Sequence, residues 1–330
     1  MTQRIALALI GLVTISLVGC NNSTALTYQF KSGEAERIHY IRHQTYDNWV
    51  EYPDEEPTLP SGLDTTLEQV LVRKVMEVDA AGVATIEVTF EEVKYSDTRR
   101  LQKKVNTGSY SSTPEKTEST NEGEPVLSGE SYRIKLSPDS RVVAVLGVDE
   151  LRAKLGLAEG KGGSIVGLVL TEDRIKDVHE RHFMLSGVAA GGVSEALFTV
   201  PDVMIRAEAV KKVFEAGPVE LEGAGTVVKV KGTGEPVYQR PEGWGQPPKP
   251  GDPGRLLIRS ESDMQEFKAD TEALFSVSDG VCRRDVTNTE AKLILLEEEI
   301  FRARQGDKRK SRGGMMITKV KLERTFESLP

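Results

Sequence analysis

Long extended runs that meet at short glycine-bearing turns constrain this chain more than any other feature. Leu67 to Val78 is one such run, and Val83 to Tyr95 is its return. Between them, Asp79-Ala-Ala-Gly82 supplies a hairpin turn, because glycine takes the positive φ that such turns need. In the return arm Ala84, Ile86, Val88 and Phe90 share one face. Val93 and Tyr95 fall in the other phase, which predicts a bulge near Glu91-Glu92. The same arrangement recurs twice. Ser131–Leu136 and Arg141–Val148 flank Pro138-Asp139, and Arg255–Phe275 and Val281–Glu298 flank Ser278-Asp279-Gly280.

Leu26–Lys31, Arg37–Tyr52, Leu197–Pro201, Val203–Phe214, Gly223–Tyr238 and Met315–Phe326 also read as strands, although Ala207–Lys212 fits a helix too. Pro53, Pro57, Pro60 and Gly62 break the run after Tyr52. Asp149 is placed to cap a short helix ending near Gly156. Thr171 is placed to cap a second, with Glu172 and Asp173 favourable in its first turn. On that helix Ile175, Val178, His182 and Leu185 form one stripe. Residues 96–128 are dominated by Ser, Thr, Glu, Lys, Gly and Asn. So little apolar surface predicts a mobile loop. The fold class is therefore mainly β: long antiparallel strands and hairpins in a twisted or curved sheet, one face packed and one wet, with a small helical insert near 149–186. Residues 26–95 form an N-terminal β-hairpin region, and 129–330 complete one domain with it.

The first twenty residues carry an address. Arg4 precedes a short apolar run, Ile5 to Leu17, and Val18-Gly19-Cys20 follows. A cation, an apolar run and small residues are the order of a secretory signal, and the run falls short of the ~20 apolar residues of a permanent span. Leu17-Val18-Gly19-Cys20 resembles the lipobox of bacterial lipoproteins. The resemblance implies a signal peptide over 1–19, cleavage before Cys20, a diacylglyceryl thioether on its sulfur, and an acyl chain such as palmitate on the new amino group. Residues 20–25 then act as a lipidated tether. Several acyl chains give a firm hold, since each buried methylene adds ~0.8 kcal/mol. Asn21 is not the aspartate that signals inner-membrane retention, which points to the outer membrane facing the periplasm rather than the inner membrane.

Composition sets further bounds. The chain has 330 residues, 38% hydrophobic and 28% charged, with a net charge of −8, the balance of a soluble globular domain. Its acidity argues against a nucleic-acid partner, which calls for a basic face. Of the two cysteines, lipidation of Cys20 leaves Cys282 no second thiol for an intramolecular disulfide, so it reads as a small half-buried hydrophobe.

Signatures of catalysis are missing. His179-Glu-Arg-His182 puts two of only four histidines on one helix face, but a metal needs a third ligand and the zincin spacing is absent. The expectation is a surface His179 and a partly packed His182. Gly162-Gly-Ser164-Ile-Val166 has Val166 where a nucleophile elbow needs glycine. Gly156 to Lys161 is one residue short of a phosphate loop. Glu91-Glu92 and Glu297-Glu-Glu299 are adjacent on strands, so neighbouring carboxylates point to opposite faces. Arg302, Arg304, Lys308, Arg309, Lys310 and Arg312 form the one strong charge cluster, suited to anionic headgroups, cell-wall polymers or solvent. No catalytic residue, metal or cofactor is expected.

Several further segments carry a resemblance: Tyr28-Gln-Phe-Lys-Ser-Gly-Glu34, Leu136-Ser-Pro-Asp-Ser140 leading into Val142-Val-Ala-Val-Leu-Gly147, and Gly232-Thr-Gly-Glu-Pro-Val-Tyr238. With the lipobox, they make the chain similar to a family of uncharacterised bacterial envelope lipoproteins, from which it departs in Gly187–Gly192. The resemblance implies the anchor at Cys20 and no activity. Three functions remain open. The first is a non-enzymatic envelope protein that binds or scaffolds a protein partner. The second is a carrier of a lipid or other apolar ligand in a curved sheet. The third is a metal-dependent hydrolase using His179 and His182.

Overall fold

The computed structural model describes residues 26–53, 55–101, 104–112, 124–157, 164–180, 190–198, 209–223, 225–237, 264–296 and 314–329. Cys20, His182, Leu185, Glu297–Glu299 and the basic cluster 302–312 lie outside them. The strands are β1 (Ala35–Glu51), β2 (Ser61–Val78), β3 (Ala84–Leu101), β4 (Lys104–Ser111), β5 (Ser131–Leu136) and β6 (Val142–Leu146). After the helices α1 (Val148–Lys154), α2 (Ile165–Val169) and α3 (Glu172–His179) come β7 (Val193–Phe198), β8 (Ala209–Ala216), β9 (Glu220–Glu222) and β10 (Gly225–Val237). β11 (Met264–Ser276), β12 (Val281–Leu296) and β13 (Met315–Leu329) complete the series.

The protein is mainly β with a small helical insert. All thirteen described strands belong to one antiparallel sheet, in the order β6-β5-β3-β2-β1-β13-β12-β11-β10-β8-β7, with β4 beside β3 and β9 beside β10. The central pair joins the first strand to the last, Arg37 facing Leu329 and Glu51 facing Met315. At 18 residues each, β2 and β3 reach roughly 60 Å.

The sheet is rolled. The β5–β6 and β11–β12 turns are separated by five strand steps, about 24 Å across a flat sheet. Yet consecutive residues bridge them: the Tyr28 N–H donates to Pro138 O and the Gln29 N–H to Gly280 O, both at 3.0 Å. A Cβ on Gly82 would sit 3.0 Å from Pro138, so the β2–β3 turn packs there as well. This end is closed by tight turns stitched together by residues 26–33. Inside it, Ile38, Leu71, Phe90, Ile134, Phe214 and Phe275 from six strands pack with Val166, Ile175 and Val178 from the helices. Full burial of each such side chain contributes roughly 1.5–3 kcal/mol. Cys282 is wholly buried in the same core. Among the described residues no helix is long and apolar enough to cross a membrane.

The hairpin signals hold. Gly82 and Gly280 have φ of +82° and +66°. The expected bulge is present, since Leu71 faces Phe90 and Val70 faces Glu92, leaving Glu91 as the extra residue.

Other expectations are corrected. Residues 26–31 form no strand; the Tyr28 and Gln29 N–H groups bond turn carbonyls rather than a ladder. The proposed mobile loop 96–128 is in part strand: β3 runs on to Leu101, and β4 pairs with it from Lys94–Ser111 to Leu101–Lys104. Ladder hydrogen bonds there do what apolar burial does elsewhere; residues 113–123 lie outside the described set. Gly62 breaks nothing, because it lies inside β2, where a Cβ would collide with Asp47 Oδ1 and crowd the Arg100–Asp47 ion pair. Asp149 is not the cap of α1 but a first-turn acid behind Gly147, and α2 is a third helix capped by Ser164, whose hydroxyl accepts the Gly167 N–H. Ala209–Lys212 belongs to a strand, paired with both β7 and β10.

Candidate functional site: a buried charged seam

Strand alternation sends Ile38, Tyr40 and Arg42 to the concave face of β1. Register places Phe326 and Arg324 of β13 opposite Tyr40 and Arg42, and Asp285 and Thr287 of β12 opposite those. Each of these residues is buried. Helix α3 lies over them and lowers Asp177 into the row. Tyr40 Oη donates to Asp177 Oδ2 at 2.7 Å, Arg324 Nη1 donates to Asp177 Oδ1, and Arg42 Nε stands 3.6 Å from Oδ2. Burial opposes the Asp177 carboxylate, but the two guanidiniums and the Tyr40 hydroxyl outweigh it and hold the group below the usual carboxylate range. Burial first, then the neighbouring Asp177 charge, pushes the Tyr40 phenol far above its ordinary value.

The seam continues across the sheet. Thr287 Oγ1 lies 3.4 Å from Asp285 Oδ1 and 3.3 Å from Thr271 Oγ1 on β11. Lys212 Nζ, on β8, donates to Thr271 Oγ1 at 2.9 Å. Lys212 reaches past β10 because Gly232 and Gly234 carry no side chain there; Lys212 pairs directly with Gly234. A Cβ on Gly232 would collide with the Phe214 ring at 2.6 Å. Burial, with Arg324 second, pulls the Lys212 amine down to about 7.

Two more polar contacts border the seam. His179 Nε2 lies 2.7 Å from Tyr132 Oη, with the rings edge to face at 6.0 Å. Arg73 donates to Glu36 and lies 5.7 Å from the Phe326 ring centroid.

The surface position expected for His179 is therefore wrong. It ends a helix whose apolar stripe faces the core, and it is wholly buried against Tyr132. Its expected partner His182 lies outside the described residues. Among the described residues no group of three His, Cys, Asp or Glu side chains could hold a metal ion.

The other two histidines occupy the outer face. His39 Nε2 lies 2.9 Å from Glu68, and His43 lies between Asp64 at 3.0 Å and Glu323 at 3.4 Å. The two carboxylates sit on opposite ring nitrogens of His43, a geometry that suits charge pairing rather than one shared ion.

No protein-family model matches the chain, and no curated protein does. Solved structures give distant likenesses. One is the structure of lipid–protein interactions in lipovitellin, with 8% identity and a TM-score of 0.46; it covers 92% of this chain, and this chain spans only 26% of that one. A second is a β-barrel-like protein of a domain of unknown function from Brucella abortus, with 10% identity and a TM-score of 0.18, covering 89% of this chain and 100% of that one. A third is an outer membrane channel from Pseudomonas putida F1, with 8% identity and a TM-score of 0.19, covering 92% and 97%.

Proposed function

We propose that the chain is a non-enzymatic envelope protein, anchored through Cys20, that binds or scaffolds a partner at the end of the sheet remote from its anchor. One observation carries this reading: the two ends of the sheet are built differently. Residues 26–33 enter at the end of the tight β2–β3, β5–β6 and β11–β12 turns. The connections β1–β2, β7–β8, β10–β11 and β12–β13 all leave from the opposite end, where Glu51 faces Met315 and Phe198 faces Val210. Those connections are longer, and long connections on a rigid scaffold are where recognition concentrates. Leu59, Leu101, Val105 and Met315 expose apolar surface at that end, as Val143, Val219 and Leu221 do at the other.

A tether from Cys20 to Leu26 spans at most ~20 Å. With β1 upright it sets the closed end at the bilayer and the other end roughly 55 Å outward. The test places photo-crosslinking residues at Leu59 and Leu101, and at Ala81 in the β2–β3 turn, in cells making the full chain. Protein adducts at the first two and lipid adducts at Ala81 are expected; the reverse pattern rejects the reading. The anchor is tested separately. Cys20→Ser should abolish acylation and release the protein from membranes, and a variant still lipidated and membrane-bound would refute it.

A carrier of a lipid or other apolar ligand ranks second. It calls for a wide apolar concave face, whereas Arg42, Arg324, Asp177 and Lys212 cross this one. Stoichiometric lipid in the purified mature protein would reverse that order.

A further inference from the structure

We infer that the closed end of the rolled sheet is a membrane footing, in which Leu221 leads a set of apolar side chains into a layer of zwitterionic lipid headgroups. The inference rests on the anchor at Cys20 and the orientation it sets, and it adds a second, non-covalent contact to them.

The footing is clearest where residue type and exposure disagree. β9 and β10 form a hairpin whose turn carries Gly223 at a φ of +61°. Leu221 faces Thr226 across it, on the same side of the sheet as Val228 and Val230. Those two valines are buried in the core, whereas Leu221 is 85% exposed. The apolar inner face thus runs on past the rim of the sheet. Glu220 and Glu222 alternate to the other side, and Glu220 pairs with Lys229 at 2.8 Å. The hairpin lies beside the β11–β12 turn, because the Val277 N–H donates to Thr226 O at 2.8 Å. That is the turn to which Gln29 is bonded.

A single exposed leucine is ordinary on a soluble domain. Here the feature recurs at hairpins that meet residues 26–33. Met76 is 41% exposed just before the Asp79–Gly82 turn, and Val143 is 60% exposed just after the Pro138-Asp139 turn. At ~3.3 Å per residue these side chains lie roughly 7–10 Å from the hairpin tips. Apolar faces enter the headgroup boundary to a similar depth, ~5–10 Å.

The tether decides what covers them. Tyr28 and Gln29 lie across the turns, and the segment from Cys20 to Leu26 spans at most ~20 Å. An acylated Cys20 therefore holds these side chains at the bilayer surface. Charge selects the headgroup. Lys31–Glu34, Lys229–Glu220 and Arg283–Asp279 pair cations with acids at this end. Paired charge of both signs matches zwitterionic headgroups, whereas an anionic surface calls for a basic patch.

The test places photo-crosslinking residues at Leu221, Val143 and Val219 in cells making the full chain. Cys20 acylation is read by mass spectrometry on the same material. Adducts with zwitterionic phospholipid are expected at Leu221 and Val143. Leu221→Glu should cut lipid adducts at Val219 tenfold or more, about the loss for one buried leucine, and Leu221→Met should keep them. Protein adducts alone at Leu221, on an acylated chain that still gives lipid adducts at Ala81, overturn the footing and leave the anchor standing. Lipid adducts at Leu221 on a chain without acyl groups uphold the footing and remove the anchor. Adducts enriched in anionic lipid over the membrane's own composition, or undiminished in Leu221→Glu, overturn the proposal.

Discussion

The two faces of β1 hold similar residues under opposite conditions. On the concave face Tyr40 and Arg42 are 2% and 5% exposed, and their partner Asp177 comes from a helix far away in sequence. On the outer face His39 and His43 meet Glu68, Asp64 and Glu323 from the adjoining strands, with a quarter to two fifths of each side chain exposed. Both faces bring carboxylates against basic side chains at similar distances. Water screens the outer set, so its members can be lost one at a time. The inner set is desolvated, so removing one member takes a buried partner from the others. Burial, not the number of such contacts, decides what each contributes.

The sharpest way to break this comparison is Asp177→Ala. It leaves the Arg324 and Arg42 guanidiniums beneath α3 without their shared carboxylate, and a loss of about 3–5 kcal/mol in chemical unfolding is expected. The same carboxylate should give acid sensitivity. Its pKa is held low in the folded chain, so its contribution is complete above the ordinary carboxylate range and disappears as pH falls through the lower folded value. Asp177→Ala should flatten that part of the stability–pH curve. A variant as stable as wild type would show that the seam is not an energetic unit.

Tyr132→Phe is the intermediate case. It removes only the hydroxyl 2.7 Å from His179 Nε2 and keeps the ring that packs on Phe90. A loss of about 0.5–1.5 kcal/mol is expected, in line with one buried hydrogen bond. A loss as large as that of Asp177→Ala would make the histidine contact, rather than the carboxylate, the main hold on α3.

The contrast explains what could be read from the chain. Hairpins were legible because their signals are local: Asp79 to Gly82 and Ser278 to Gly280 announce turns, and alternation around them gives the strands. The bulge at Glu91 was legible as a phase change. Strand β4 was not, because Lys104–Ser111 has no apolar alternation and is held by its ladder to β3. The seam was illegible as a set, since Arg42, Asp177 and Arg324 meet only after β1 and β13 pair and α3 is laid across them. Its members do leave a trace. Arg42 is in phase with Ile38, Arg73 with Leu71, and Arg324 with Phe326 and Leu322, so each is a cation on the buried phase of a strand. That conflict between residue type and phase marks the site, whereas the His179–His182 spacing drew attention to a histidine that packs.

The smallest effect is the most discriminating, because it tests the outer face against its own prediction. His43 lies 3.0 Å from Asp64 with both side chains a little over a third exposed, and Glu323 stands at the other ring nitrogen. A double-mutant cycle with His43→Gln and Asp64→Asn should give a coupling of about 0.2–1 kcal/mol at low ionic strength. Because solvent screens the pair, the coupling should shrink further in 1 M salt, where the Debye length is about 3 Å. Asp177→Ala should keep most of its cost under the same conditions. If the His43–Asp64 coupling instead rivals that cost and survives salt, the outer face is not the solvated ladder that its exposure implies. The difference between the faces would then lie in strand position rather than burial.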